Sequence, residues 1–349
     1  MTRIGMNPAR NRVIDYRPAR VTVGVIVYLP HLTGYFEHRM DVVRLSFETL
    51  LANTNQPYDL LVLDNGSCSE MKDYLQSLQA LGQIRYLLTS SENIGKLGAL
   101  RIIAGAAPGE LIAYADDDTF YYPGWLEAHL QIYDHFPGVG MVSGSPERTL
   151  FDHGIQSNLR LAESNPEFDL SYGKRISMDW ERDWATALGK DVEAYLRKVE
   201  DLEDILLSYR GVTAFATACH NQFISPREIL RNNLGEEWSG RLMGGLNEFD
   251  ERVDADSMLR LTTTDRTTKL IGNVVSADTL QEARSFGVQL SGGVWIKGDT
   301  PSRGLRQRIV QWKPLRWLLQ GLYNRLFWIL SGQSGRWVEQ DAVEQESER

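Results

Sequence analysis

An α/β fold on a mostly parallel, Rossmann-like sheet is what residues 21–145 predict, and three observations carry that expectation. Apolar, β-branched runs alternate with segments of helical spacing, the order that gives βαβ units. The runs are apolar almost throughout, as in strands covered on both faces. The polar stretches follow the runs, at what would be the carboxyl edge of such a sheet, where open α/β folds bind ligands.

Each element has its own warrant. Val21-Thr22-Val23-Gly24-Val25-Ile26-Val27-Tyr28 reads as a central strand, and Pro30 to Gly34 as the loop after it. Arg39 to Asn53 repeats Val42, Val43, Leu45, Ser46 and Leu50 at helical spacing. Leu60 to Leu63 is a second strand, ending at Asp64-Asn65-Gly66-Ser67, and Ser69 is placed to cap a helix over Glu70 to Gln79. Ile84 to Leu88 predicts a third strand and Lys96 to Ala106 a third helix. Glu110 to Ala113 is a short buried strand that runs into Asp116-Asp117-Asp118; Pro123-Gly124 then breaks the chain before a helix from Trp125 to His135. Val139 to Val142 is a fifth strand. Beyond 150 the pattern loosens. Phe151 to Ser177 is polar and irregular, Asp179 to Tyr209 has the spacing of one or two inserted helices, and Gly211 to Ser225 holds a strand with His220-Asn221 near its end.

Composition narrows the function classes. With 349 residues the chain can bury a full core. A net charge of −9 argues against general nucleic-acid binding, which needs a basic footprint. Cys68 and Cys219 are the only cysteines, too few and too far apart for a disulfide framework or a zinc site, so a reducing, cytoplasmic setting is expected. Residues 1–20 carry five arginines and no apolar segment, a flexible basic arm rather than a signal peptide. No apolar run is long enough for an ordinary transmembrane helix.

The chemistry centres on Asp116, Asp117 and Asp118. Like charges at close range repel and raise one another's pKa. A hard divalent cation, Mg²⁺ or Mn²⁺, relieves that cost through carboxylate oxygens; the bland alternative is a solvated acidic turn. The order of Tyr28-Leu29-Pro30, Leu63-Asp64-Asn65-Gly66-Ser67, Glu92-Asn93-Ile94-Gly95-Lys96 and Asp116-Asp117-Asp118 resembles a family 2 glycosyltransferase of the A-type fold. The resemblance covers residues 21–150 closely and 240–262 loosely. It implies a nucleotide-diphosphate-sugar donor, a divalent metal and inversion at the sugar carbon.

Carried over residue by residue, it sets Tyr28, Pro30, Asp64, Asn93, Gly95, Lys96, Asp116 and Asp117 around the donor. Asp64 would face the nucleobase, with a plain Asp-Asn-Gly turn as the alternative. Asn93, Gly95 and Lys96 would meet phosphate at a helix amino end. Asp116 would face the ribose, and Asp118, with Asp116, the metal. The stretch Phe249 to Leu261 resembles the family's second acidic region. It puts the catalytic base at Asp254 with Asp256 beside it, Glu251 and Asp256 remaining open as the base, and acidic helix capping the alternative. Trp125, His220 and Glu251 are acceptor-side candidates. Trp180 and Trp184, at i and i+4, suit sugar stacking or core packing, the latter being commoner. Many relatives carry a metal-reaching His beyond the second region; Asn273 to Asp278 has none, leaving Asp278 or water in its place.

From Thr300 to Val338 there are seven cations and no acid, interleaved with Trp, Phe and Leu. Such a segment suits an anionic membrane surface, with residues 303–337 as the contact, or packing on the domain. The expected divisions are a basic arm (1–20), a nucleotide-sugar-binding half (21–150), an acceptor-side half (151–298), the basic aromatic tail (299–338) and an acidic disordered end (339–349). The function implied is an inverting sugar transferase acting on a glycan or lipid-linked acceptor in cell-surface polysaccharide or glycolipid assembly, peripheral on the cytoplasmic face of a membrane. A nucleotidyltransferase and a non-catalytic nucleotide-sugar-binding scaffold are the alternatives.

Overall fold

A computed structural model describes residues 5–7, 9–235, 242, 244–288 and 290. The sequence-predicted tail over 299–338 and the acidic end lie outside these. The first half runs β1 (Val21–Val27), α1 (Arg39–Asn53), β2 (Tyr58–Asn65), α2 (Ser69–Ala80), β3 (Tyr86–Ser90), α3 (Lys96–Ala106), β4 (Leu111–Asp116), β5 (Thr119–Tyr121), α4 (Trp125–His135) and β6 (Val139–Ser143). The second runs α5 (Gln156–Ser164), β7 (Phe168–Gly173), α6 (Met178–Ala187), α7 (Val192–Val199), β8 (Asp204–Tyr209), β9 (Val212–Phe215), β10 (Gln222–Pro226), α8 (Arg227–Asn233), α9 (Leu246–Ala255), β11 (Leu259–Thr262), β12 (Thr268–Leu270) and α10 (Ala277–Ser285).

One sheet takes ten strands in the order β3-β2-β1-β4-β10-β6-β11-β9-β8-β7. Its β3 to β4 part is parallel, in register from Val21 opposite Tyr58 on one side and Leu111 on the other. Beyond β4 it is mixed: β10 runs antiparallel to both neighbours, β11 is parallel to β6, and β9, β8 and β7 form an antiparallel meander. A separate two-stranded sheet pairs β12 with β5, directly after the acids.

The all-apolar strands are explained by two cores, one on each face. Val21, Val23, Val25 and Val27 join Leu60 and Val62 on one side; Ile26, Leu61 and Leu63 join Leu100 and Ile103 on the other. Gly24 faces α3, and a Cβ there would lie 2.7 Å from Ile103 Cγ2, so the glycine lets the helix close on the sheet.

Several expectations are corrected. Residues 204–209, read as helical, are strand β8, because the run Ile205-Leu206-Leu207 pairs on both sides, with β7 and with β9. The polar 151–177 stretch contains α5 and β7. Ser69 is not a cap: Cys68 is the N-cap, and the Ser69 hydroxyl bonds the Glu70 side chain at 3.0 Å. The third strand starts at Tyr86 rather than Ile84. The basic arm is tied down at its end, where Tyr16 Oη and the Ala19 N–H both donate to Asp59 Oδ2. The inserted helices dock through a buried charge group in which Arg148 pairs with Asp204 at 2.8 Å and Glu181 hydrogen-bonds Tyr195. Trp184 packs on Tyr195 in the small core there, the packing reading of that aromatic pair.

Candidate active site

The carboxyl ends of β1, β2 and β4 meet, and their loops are stitched together. Leu29 N–H donates to Ser67 Oγ at 3.0 Å, and Cys68 N–H to Leu29 O at 2.8 Å. At the end of β2, Asp64 is 1% exposed; its Oδ1 accepts from Ser67 N–H at 2.9 Å, while its Oδ2 is buried with no partner among the described residues. A buried, orphaned carboxylate oxygen is costly, and an incoming N–H donor relieves that cost. Gly66 adopts φ +88°, and a Cβ on it would lie 2.8 Å from the Glu92 backbone. Only glycine permits both the turn and that approach. The approach lets Asn65 Nδ2 donate to Asn93 Oδ1 and Asn65 Oδ1 accept from Ile94 N–H, each at 2.9 Å. Asn93 Oδ1 also accepts from Gly95 N–H, so Asn93 holds the loop and Gly95, at φ +77°, starts α3.

Lys96 opens α3 and reaches Asp116 Oδ2 at 2.8 Å, while Asp116 Oδ1 accepts from Tyr114 Oη. Asp117 is buried; Oδ2 accepts from Tyr28 N–H at 3.1 Å and Oδ1 pairs with Arg39. Arg39 also reaches Asp118 Oδ2 at 3.0 Å. Burial pushes the Asp117 carboxyl up to about 6 despite the Arg39 charge, and burial likewise raises Asp118. Tyr28 and Pro30 are half-buried at this edge, the Tyr28 ring meeting Phe36 edge-on. The expected donor residues Tyr28, Asp64, Asn93, Gly95, Lys96, Asp116 and Asp117 are therefore brought together.

The divalent cation expected at Asp116 and Asp118 meets a site that already has cations. Arg39 spans Asp117 and Asp118, and Lys96 holds Asp116. Among the described residues no group of three or more His, Cys, Asp or Glu side chains is arranged to hold a metal ion. As arranged, the acids fit a guanidinium and an ammonium rather than a metal. Asp278, the suggested stand-in for the missing His, is exposed in the first turn of α10.

The second acidic region folds differently from its expected match. Helix α9 begins after Gly245 and carries Asp254 in its last turn, roughly 13 Å along the axis from its start. The Leu242 carbonyl, three residues before Gly245, accepts from Lys96 N–H, so that start lies at the donor edge. Its end leads into β11 beside Val139, at the opposite edge of the sheet. There Asp254 Oδ1 accepts from Ser157 N–H at 2.8 Å and from its hydroxyl at 2.7 Å, tethering the start of α5. Asp254, expected as the base, is thus held by Ser157 at the end of α9 away from the three acids. Asp256, in the turn after the helix, accepts from Asn233 Nδ2 at 3.1 Å, and Glu251 is exposed farther along α9 than the donor edge. Trp125, expected on the acceptor side, is fully buried, and its Nε1 donates to Thr54 Oγ1 at 2.8 Å.

His220 is at the right edge. Its neighbour Asn221 accepts from Asp116 N–H at 3.0 Å. His220 Nδ1 lies 2.9 Å from Asp250 Oδ2, with a quarter of the His side chain exposed. Asp250 is buried; Arg260 pairs with it at 3.0 Å and His153 stands 3.8 Å away. Burial alone would raise its pKa, but these partners bring it below the usual carboxylate range. Glu248, exposed in the first turn of α9, is the acid of that helix nearest the donor edge. Arg39, Asp250 and Glu248 were missed from sequence. Arg39 did leave a signal, since a cation opening a helix works against the macrodipole and calls for acids nearby.

Residues 35–175 match the family model described as glycosyl transferase family 2. An uncharacterized glycosyltransferase from Nostoc sp. is 25% identical over 192 residues, 47% of this chain and 59% of the relative. Among solved structures, a mannosyltransferase from Pyrobaculum calidifontis in complex with GDP-Man and Mn²⁺ is 17% identical, with a TM-score of 0.41, over 71% of this chain and 55% of that one. Glucosyl-3-phosphoglycerate synthase from Mycobacterium tuberculosis, in complex with Mn²⁺ and UDP-Glc, is 15% identical with a TM-score of 0.36, over 70% of this chain and 68% of that one. The chain thus spans less than two thirds of the Nostoc relative and of the mannosyltransferase. Residues 35–175 thus resemble glycosyl transferase family 2, a likeness that covers that segment and not the chain as a whole.

Proposed function

We propose that the protein is an inverting glycosyltransferase that moves a sugar from a nucleotide-diphosphate-sugar to a hydroxyl of a glycan or lipid-linked acceptor. The observation that carries the reading is the buried Asp64 Oδ2 without a partner, at the end of β2 on the edge that also holds Lys96 and the three acids. A nucleobase ring N–H is the donor that oxygen lacks. The start of α3 turns a positive dipole toward the diphosphate, with Lys96 adding a full charge. Tyr28 and Pro30, half-buried, lie at the same edge.

On the acceptor side, His220 is held as general bases are held, one ring nitrogen fixed by a buried carboxylate. In this reading its other nitrogen takes the proton from the acceptor hydroxyl as that oxygen attacks the sugar carbon opposite the leaving diphosphate. Asp250 fixes the tautomer and stabilises the imidazolium. A divalent cation, Mg²⁺ or Mn²⁺, would supply Lewis-acid stabilisation of the leaving group in such chemistry; the pairing of the acids with Arg39 and Lys96 gives no opening for it.

A place in cell-surface polysaccharide or glycolipid assembly on the cytoplasmic face of a membrane goes with this reading, resting on the cationic, aromatic 303–337 segment. Among the described residues, no helix is long and apolar enough to cross a membrane. The test is a thermal-shift panel of UDP-, GDP- and dTDP-sugars. A rise with one nucleotide, lost in Asp64→Leu, is the expected result; no rise with any of them would overturn the donor reading.

A further inference from the structure

Arg39 occupies an unusual place. It is the first residue of α1, and its side chain is only 11% exposed. One arm of the guanidinium pairs with Asp117. The other lies 3.0 Å from Asp118 Oδ2, 3.3 Å from Gly272 O and 3.4 Å from Asn273 Oδ1. Four oxygens from two separate segments, the acid turn between β4 and β5 and the loop after β12, thus converge on one planar cation. The loop after β12 is the one where the resemblance implies a histidine and this chain has Asn273.

Two alternatives fail. Arg39 is not a surface residue drawn in by chance, because a cation at a helix amino end is opposed by the macrodipole and a buried one by desolvation. Both costs are borne at once, and Asp117 and Asp118 more than offset them, holding the guanidinium above its ordinary pKa. Nor is this packing alone: a guanidinium is a fixed fork suited to paired oxygens of carboxylate and phosphate alike. Between Arg39 and Lys96 the three acids face two permanent cations. A divalent ion would have to displace the guanidinium from both carboxylates and from Asn273.

We propose that Arg39 is the resident cation of this site, taking the place between Asp117, Asp118 and Asn273 that a divalent metal would otherwise fill, so that a nucleoside diphosphate binds without metal. This rests on the donor reading above for its ligand, though not for the position of the cation. Asp117 and Asp118 then serve to aim Arg39, and Lys96 and Arg39 together meet the diphosphate charge.

The experiment has two arms. In the first, Mn²⁺ is titrated into nucleotide-free protein and free Mn²⁺ is followed by electron paramagnetic resonance. The wild type should take up no stoichiometric Mn²⁺, whereas Arg39→Gln, checked for folding by near-UV circular dichroism, should take up one equivalent. One equivalent bound by the wild type and lost in Asp118→Asn would overturn the proposal. In the second, UDP and GDP are titrated calorimetrically in EDTA and in Mn²⁺. Wild-type affinity should agree within about twofold between the two, well under the tenfold that 1.4 kcal/mol would give. A loss of about tenfold or more in EDTA, the weight of a charge-assisted contact, would equally overturn it. If neither nucleotide binds in either buffer, the donor reading falls, and the first arm still decides the identity of the cation.

Discussion

His220 Nδ1 and Asp250 Oδ2 stand 2.9 Å apart, joining the turn before β10 to helix α9 beside the acid edge. The two residues are thirty positions apart in sequence, and the carboxylate is buried between that imidazole and Arg260. If the pair supplies the base, His220→Gln should lower kcat by roughly 10²–10⁴ while leaving nucleotide affinity unchanged. Asp250→Asn should lower kcat and shift the acidic limb of the pH–rate profile. Steady-state kinetics against a hydroxyl acceptor reads both. A normal kcat in His220→Gln with a collapsed one in Glu248→Gln would move the base to α9.

Asp254→Asn should act on stability instead. The substitution weakens the acceptor that receives both the N–H and the hydroxyl of Ser157. The expected cost is about 1–3 kcal/mol, read as a lower denaturation midpoint with an unchanged slope. Turnover per folded molecule should survive. Loss of turnover at full stability would return Asp254 to the site.

Asp64→Asn should keep the β2 turn, since its side-chain oxygen still accepts from Ser67 N–H. It should weaken nucleotide binding by about tenfold, because an amide N–H would then face the nucleobase donor. Isothermal calorimetry measures this; unchanged affinity would detach Asp64 from the base.

His129 predicts acid lability. It is fully buried between Trp125 O and Gln222, and burial lowers its pKa to about 4 from 6.5. The unfolded chain therefore binds the proton first. The stability His129 contributes is complete above about 6.5 and is lost as pH falls toward 4, at up to about 3 kcal/mol for that span. Melting temperatures across pH 4–7 should flatten in His129→Gln relative to the wild type. A parallel pair of curves would place the titration elsewhere.

The parallel half of the fold was legible in the residues because its strands are buried on both faces, and that burial writes continuous apolar runs such as Val21 to Val27. Helices α1 and α3 were placed to the residue at both ends. The meander was not legible. Ile205-Leu206-Leu207 is too short to show whether its period is helical or extended, and an acidic, helix-like stretch precedes it. The meeting of Asp64, Asn93, Lys96 and the three acids at one edge could be read because each comes from a loop that follows a strand. The pairing of His220 with Asp250 could not, since it depends on the packing of α9. The resemblance of Phe249 to Leu261 to the family's second acidic region does not show where the helix ends; α9 stops at Ala255 and β11 starts at Leu259, which sets Asp254 in the last turn of the helix.

Strand β10 lies between β4 and β6, yet it is made about 80 residues after β6 ends. On a ribosome adding roughly 5–20 residues per second, that delay is on the order of ten seconds. Until then the nascent chain presents two apolar strands with open edges facing one another, a template for pairing with the wrong partner. A chain cut between Ser143 and Gln222 should therefore aggregate where one carrying β10 does not, which light scattering of the two would read.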